Sequence, residues 1–229
     1  MTGEVFAYLP VQMYSIMPWA STDTPGKKDI MRVLVVVDHP YEGSFTWALV
    51  ASVRRGLEKA GHQMDLIDLH TDHFDPVMHS EDLGAWRHGE TIDPLTADYQ
   101  KRLLAADYLV MAFPIWWELM PAMTKGFIDK VIAKGVAYDQ PTPNGLMKPL
   151  LGKTLQGVTL MTVMATPAPI YRLVFGNPIT KAVFRGTFRK IGVRHLTWSN
   201  HSNLASKTQA YREQILARTE QTFATLAPR

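Results

Sequence analysis

From Met31 onward, apolar and polar residues fall into blocks whose period switches between that of a strand and that of a helix. Met31-Arg32-Val33-Leu34-Val35-Val36-Val37 is a near-continuous β-branched run, the pattern of a parallel strand buried on both faces. Ser44 caps a segment running to about Ala60, with Phe45, Leu49, Val53 and Leu57 at helical spacing, and Gly61 closes it. His62 to Leu69 reads as a second strand. Residues 70–93 are polar, rich in His, Asp and Glu, and read as a long excursion with some helix. Beyond it the pattern predicts a helix from Leu95 to Ala106, a strand from Asp107 to Phe113 and a helix from Leu119 to Ala133. A fourth strand follows over Thr154 to Met164 and a helix over Pro178 to Ile191. A short fifth strand over Val193 to Trp198 and a C-terminal helix over Leu204 to Leu226 complete the series.

Strands separated by helices imply right-handed crossovers and a mostly parallel sheet covered on both faces. Five strands in this rhythm fit an α/β, doubly wound sheet in the flavodoxin-like order 2-1-3-4-5, with the six-stranded dinucleotide-binding sheet as the competitor. Residues 1–30 break the pattern. Pro10, Pro18 and Pro25 sit among Phe6, Tyr8, Tyr14 and Trp19, and a polar stretch from Ser21 to Asp29 follows. They read as an N-terminal arm with no assigned fold, ahead of one domain over residues 31–229. No basic segment precedes an apolar one there, so a signal peptide is not expected.

Composition narrows the chemistry. Among 229 residues, 46% hydrophobic, there is no cysteine, which excludes disulfides, thiolate nucleophiles, Fe–S clusters and Cys-type zinc sites. No apolar run approaches the roughly 18 residues of a bilayer span, and the expectation is a soluble cytoplasmic protein. The formal net charge of +3 is mild, with no basic stripe carrying interleaved aromatics, so nucleic acid is not an expected partner. His70, Asp72, His73, Asp75 and His79 gather in one stretch, but no pair of them can be assigned to one face of a demonstrable helix. They read as a solvated loop, with no metal site.

In an open doubly wound sheet the ligand lies beyond the carboxyl ends of the strands, beside strands one and three. Two loops are therefore informative. The first, Asp38-His39-Pro40-Tyr41-Glu42-Gly43-Ser44-Phe45-Thr46, runs straight into a helix N-terminus, where free N–H groups favour an anion. It lacks the Gly-Lys-Ser/Thr of a P-loop and the Gly-x-Gly-x-x-Gly of a nicotinamide fingerprint. Asp38, His39 and Ser44 lie together, but no Gly-x-Ser-x-Gly elbow accompanies them, and Ser44 reads as a cap rather than a hydrolase nucleophile. The second loop, Phe113-Pro114-Ile115-Trp116-Trp117, continues to Gly126. Side chains alternate along an extended backbone, so Trp116 and Trp117 cannot both enter the same core. An indole exposed there is suited to walling a planar ligand.

Residues 31 to about 225 resemble the flavodoxin-like NAD(P)H dehydrogenase (quinone) family, which includes DT-diaphorase and the ancillary flavoproteins of potassium efflux systems. Three stretches carry the resemblance: His39-Pro40 with Ser44-Phe45-Thr46, then Phe113 through Val131, then Gly135-Val136-Ala137-Tyr138 with Leu151-Gly152-Lys153. The resemblance implies a bound flavin, FAD slightly favoured and FMN open. His39, Ser44, Phe45 and Thr46 would hold its phosphates, and Pro114, Ile115, Trp116 and Trp117 would flank its ring, with Thr166 contributing from the loop after strand four. It further implies a ping-pong, two-electron reduction of quinones or similar electron-poor aromatics by NAD(P)H, in a homodimer whose partner completes the pocket. The loop after strand four departs from the family pattern. Where relatives have a glycine pair, this chain has Pro167 and Pro169, which bring no N–H donors. Tyr171 occupies the place of the family's tyrosine, but the histidine expected six residues on is Asn177, which can hydrogen-bond and cannot take up a proton. Tyr171 and Asn177 are the candidate catalytic residues. Two other readings compete: an ancillary flavoprotein bound to a membrane transporter with incidental reductase activity, and a one-electron flavodoxin carrier. The mild positive charge and the absence of a Thr-rich phosphate loop argue against the carrier.

Overall fold

The β-branched run after Met31 forms β1 (Arg32–Val37), and the other blocks follow in sequence. They are α1 (Phe45–Ala60), β2 (Gln63–Asp68), α2 (Ser80–His88), α3 (Pro94–Leu104), β3 (Tyr108–Pro114) and α4 (Ala122–Val131). After these come a two-residue pair, β4 (Tyr138–Asp139) and β5 (Lys148–Pro149), then β6 (Gly157–Met164), α5 (Ala168–Leu173), a π-helix (Thr180–Phe188), β7 (Leu196–Ser202) and α6 (Gln209–Ala224). The structure, a computed structural model, describes residues 30–142 and 145–229. The expected arm over residues 1–30 lies, apart from Ile30, outside the described residues.

Five strands form one parallel sheet in the order β2-β1-β3-β6-β7. With the short β4–β5 pair set aside, this is the 2-1-3-4-5 order expected from the strand–helix rhythm. Alternate side chains of each central strand enter two separate cores, which is why β1 and β3 read as continuous apolar runs. Leu34, Val36, Leu109, Met111 and Phe113 face the layer holding Tyr99, Phe127 and Phe188. Val33, Val35, Val37 and Val110 face the layer holding Leu49, Val53, Ile215 and Phe223. In that second layer α1 and α6 approach closely at Gly56, where a Cβ would lie 2.5 Å from the Glu220 carbonyl. Glu220 also binds Arg55 and Lys59 across the pair, at 2.7 and 2.6 Å.

Four element boundaries differ from the sequence pattern, each for a local reason. The helix expected from Leu119 begins at Ala122, because Leu119 pairs back with Trp116 and Pro121 occupies the N-cap. The fifth strand begins later and runs on to Ser202. Ser199-Asn200-His201-Ser202 shows no apolar alternation, yet pairs in register with β6 as far as Met164. The fourth strand starts at Gly157, after a 3₁₀ turn over Leu151–Lys153. Asn203, with φ 54°, interrupts the C-terminal segment, and α6 starts only after its Thr208 cap. The helix expected over Pro178 to Ile191 is wound partly as a π-helix, its wider turn seen where the Arg189 N–H reaches the Phe184 carbonyl at 2.9 Å.

Among the described residues no helix is long and apolar enough to cross a membrane. The polar stretch from His70 to His79 is held by specific partners: His70 by Asp38, Asp72 by the Tyr99 hydroxyl and His79 by Asp75.

Candidate functional site

The sheet order reverses between β1 and β3, so the loops leaving these two strands diverge and leave a crevice. Asp38, the first residue after β1, is 1% exposed. Its Oδ2 accepts from the Thr124 N–H at 2.7 Å and from the Thr124 hydroxyl at 2.6 Å, while Oδ1 lies 2.9 Å from His70 Nε2. Thr124 is in the first turn of α4, and the N-cap of that helix is Pro121, whose side chain can accept nothing. Asp38 therefore caps α4 from another strand. Such a group normally sits at the helix's own N-cap position.

His39 is partly buried. Its Nδ1 accepts from the Tyr41 N–H at 3.1 Å, so in the neutral ring Nε2 carries the proton and is a donor. Burial holds the His39 pKa below the ordinary histidine value against the opposing pull of Asp38. The His39 carbonyl accepts from Trp47 Nε1 at 3.1 Å, which pins the loop to the first turn of α1. Ser44 is the N-cap, its Oγ accepting from the Trp47 N–H at 3.3 Å. The Phe45 and Thr46 N–H groups, first in the helix, have no intrahelical acceptor. The Phe45 ring meets His201 edge-on at 6.3 Å, and Thr46 is buried.

On the β3 side, Pro114 and Ile115 are buried, and the Ile115 N–H still donates to the Val163 carbonyl at 2.8 Å. Proline is tolerated at position 114 because β1 has already ended, its pairing with β3 stopping at Ala112. The chain then makes a two-residue hairpin turn, with N–H···O bonds between Trp116 and Leu119 in both directions at 2.9 and 3.1 Å. Trp117 and Glu118 at its centre have φ of 49° and 64°. Asn and Gly usually occupy such positions, and other L-residues cost about 1–2 kcal/mol each there. Trp116 is 48% and Trp117 98% exposed.

Neighbouring groups hold this strained turn. The Tyr171 hydroxyl donates to the Glu118 carbonyl at 2.9 Å and accepts from the Ile179 N–H at 3.2 Å. The Thr166 hydroxyl donates to Glu118 Oε1 at 2.7 Å. Glu118 Oε2 is buried with no hydrogen-bond partner, alone in this respect among the described residues. An unsatisfied buried polar group costs about 1–3 kcal/mol, and more when charged.

Tyr171, a candidate catalytic residue by resemblance, is fully buried beneath the turn and packs against Trp198, the rings tilted by 53° with centroids 5.7 Å apart. Burial raises its pKa, so its hydroxyl stays protonated as a donor. Asn177, the other candidate, has φ 56°, and its Oδ1 accepts from the Thr180 hydroxyl at 3.0 Å at the start of the π-helix. In this arrangement the Tyr171 hydroxyl joins the Glu118 and Ile179 backbone, and the Asn177 side chain holds Thr180.

Beyond β6 and β7 lies a cleft of about 300 Å³ lined by Pro167, Pro169, Asn200, His201, Lys207 and Tyr211. Burial pushes the His201 pKa down to about 4. The site thus gathers the predicted His39, Ser44 and Phe45 at one helix start and Trp116, Trp117 and Thr166 around one turn. Thr46, Pro114 and Ile115 lie beneath it. Sequence reasoning missed the cap formed by Asp38, the turn-locking Glu118 and the half-buried His201. For Asp38 a signal existed, since an acid directly after a buried strand needs a partner.

These features define a doubly wound α/β protein whose candidate site lies at the switch point of the sheet. A family model described as a flavodoxin-like fold matches residues 31–224, and the chain belongs to that family. It is 34% identical over 108 residues to YcaK of Escherichia coli (strain K12), named as an uncharacterized NAD(P)H oxidoreductase, covering 47% of this chain and 55% of that protein. The chain spans about half the length of the curated relatives it matches. A solved NAD(P)H:quinone oxidoreductase from Methanothermobacter marburgensis has the same fold, with a TM-score of 0.75 over 86% of this chain and 98% of that one, at 21% identity. So does an FMN-dependent NADH-azoreductase from Bacillus anthracis in complex with FMN, at 14% identity, with a TM-score of 0.69 over 86% of this chain and all of that one.

Two outcomes follow for the frame of the site. Asp38→Ala strips α4 of its cap and should lower unfolding free energy by about 2–3 kcal/mol in urea titration; a loss below about 0.5 kcal/mol would show that the cap is dispensable. His201 has a folded-state pKa near 4 against an ordinary 6.5, so protonation favours the unfolded chain. Its contribution is present above pH 6.5 and is lost as pH falls toward 4. His201→Gln should make the decline in melting temperature across that window shallower, and an unchanged slope refutes the assignment.

Proposed function

We propose that this chain is a flavin-dependent NAD(P)H oxidoreductase that reduces quinones or similar electron-poor aromatics. The observation that carries the reading is the exposed Trp116–Trp117 turn directly after β3, beside the end of β1 that leads into the N-terminus of α1, where the sheet order reverses. What the chain offers fits such a cofactor: first-turn N–H groups and the His39 donor for phosphate, flat indoles for a ring, and a buried acceptor at Glu118 awaiting a donor. A flavin held there would supply the two-electron redox chemistry between NAD(P)H and the acceptor, expected to run as a ping-pong reaction. The protein's part is to position and to exclude water. His39, Ser44, Phe45 and Thr46 hold the phosphate end. Trp116 and Trp117, set on the buried Pro114 and Ile115, wall the ring, and Thr166 and Tyr171 keep that wall in place. Asn177 sets the chain turn that follows Tyr171.

FAD is favoured slightly by the His39-Pro40 opening, and the cleft beside His201 leaves room for a nucleotide extension. The FMN-bound relative of the same fold supports FMN instead. Acid extraction followed by mass measurement decides between them. The reading includes a cytoplasmic location and a homodimer. Ile170, Leu173, Val174 and Phe175 are exposed beside the Trp turn and support self-association at the site.

A second reading, an ancillary subunit on a membrane transporter, has one observation in its favour. From Gln140 to Arg212 the chain holds ten basic residues and no acidic one. Lys181 and Arg185 of the π-helix and Arg189 at its C-cap are exposed, with no salt bridge among the described residues. Charge reversal at these three positions should release a bound transporter and leave quinone turnover intact if this second reading holds; turnover with no transporter captured rejects it.

The purified protein should take up flavin, show its yellow absorption and oxidise NAD(P)H when a quinone is added; failure to take up flavin rejects the first reading. Trp117→Ala should weaken binding of flavin or acceptor by about 1–3 kcal/mol in a fluorescence titration. Unchanged affinity for both would return Trp117 to a role outside the site.

A further inference from the structure

We propose that Glu118 is a ring-recognition residue, its free carboxylate oxygen accepting the imide N–H on the pyrimidine edge of the bound flavin. This rests on the flavin reading above and adds the atom that recognises the ring. Glu118 is fixed at two other points, its carbonyl by the Tyr171 hydroxyl and its Oε1 by the Thr166 hydroxyl. The backbone is held at φ 64° to achieve this. Oε2 alone is left buried and without a partner. A fold that immobilises a carboxylate this firmly and leaves one oxygen unmet is preorganised for a donor that arrives with a ligand.

The chemistry of that donor can be narrowed. It comes from the strand ends, where the exposed Trp116 and Trp117 favour a flat molecule. A quinone has acceptors and no N–H, so it cannot satisfy Oε2. The imide edge of a flavin presents an N–H between two carbonyls and therefore needs one acceptor flanked by donors. The same turn offers that set: Oε2 as acceptor, with the Trp117 and Glu118 N–H groups, which have no acceptor among the described residues. Thr166 cannot be the donor to such a ring, since its hydroxyl proton is committed to Oε1.

The test is a binding titration of the apoprotein with FMN or FAD and with the same flavin methylated at the imide nitrogen, read by flavin fluorescence. The full-length protein should bind the unmodified flavin at least about tenfold more tightly than the methylated one. Glu118→Ala should cut that preference to about twofold or less, mainly by weakening the unmodified flavin. Glu118→Gln keeps an acceptor and should restore part of the preference. Tight but equal binding of both flavins by the unaltered protein overturns the proposal and leaves the flavin reading standing. Binding of neither overturns both. The comparison on unaltered protein needs no variant, so an unfolded Glu118→Ala protein, detected by circular dichroism, does not decide the outcome.

Discussion

The Asp38 carboxylate ties three strand ends together, and the geometry of the site depends on it. It leaves β1, accepts both donors of Thr124 at the start of α4, and meets His70 from the loop after β2. Helix α4 begins with proline at its N-cap and needs an acceptor from elsewhere. Supplying it from β1 fixes the start of α4 relative to the loop that carries His39. The Trp116–Leu119 turn lies just before that start, so its position is fixed by the same contact. Burial makes the arrangement unforgiving, because a carboxylate removed from water must keep its donors.

The second constraint runs from the sheet edge inward. Trp198 on β7 donates to the Thr162 hydroxyl at 2.8 Å, and Thr162 donates on to Asn200 Oδ1 at 2.8 Å. Trp198 also packs on Tyr171, whose hydroxyl holds Glu118. The strained turn is thus supported by a chain of contacts reaching the last strand of the sheet. Strain at a functional site persists only where the surroundings over-determine it. Here the surroundings are the buried Tyr171 packed on the half-buried Trp198 and three hydroxyl groups, none of which needs to touch a ligand.

Much of this architecture was legible in the sequence, for reasons that also mark where legibility ended. The strand β1 and the helix α1 announce themselves because both faces of one and one face of the other are apolar. β7 was cut short because Ser199 to Ser202 carries no apolar period, and an edge strand needs none on its open side. Alternation could say that two adjacent tryptophans cannot share a core. It could not say that the next backbone dihedrals turn positive, which closes the Trp116–Leu119 turn, delays the helix start from Leu119 to Ala122 and places Glu118 in that turn. The other described tryptophans are similarly placed by contacts without a sequence period: Trp47 holds the His39 carbonyl, Trp198 underlies Tyr171, and Trp86 lines a cleft with Met78 and Leu83. Trp19 falls outside the described residues.

The departures from the family pattern after β6 belong together when read with the turn. Pro167 and Pro169 remove N–H donors from that loop, and the Thr166 hydroxyl is already spent on Glu118. A loop so depleted has little left with which to bind the polar edge of a ring. The turn after β3 holds groups of the kind the β6 loop has lost: the Trp117 and Glu118 N–H groups and one unpartnered Glu118 carboxylate oxygen. On the proposed flavin reading, the loss of donors on one strand end and the unusual carboxylate on its neighbour are a single rearrangement, in which polar recognition would move from β6 to β3 with the β6 loop as its support.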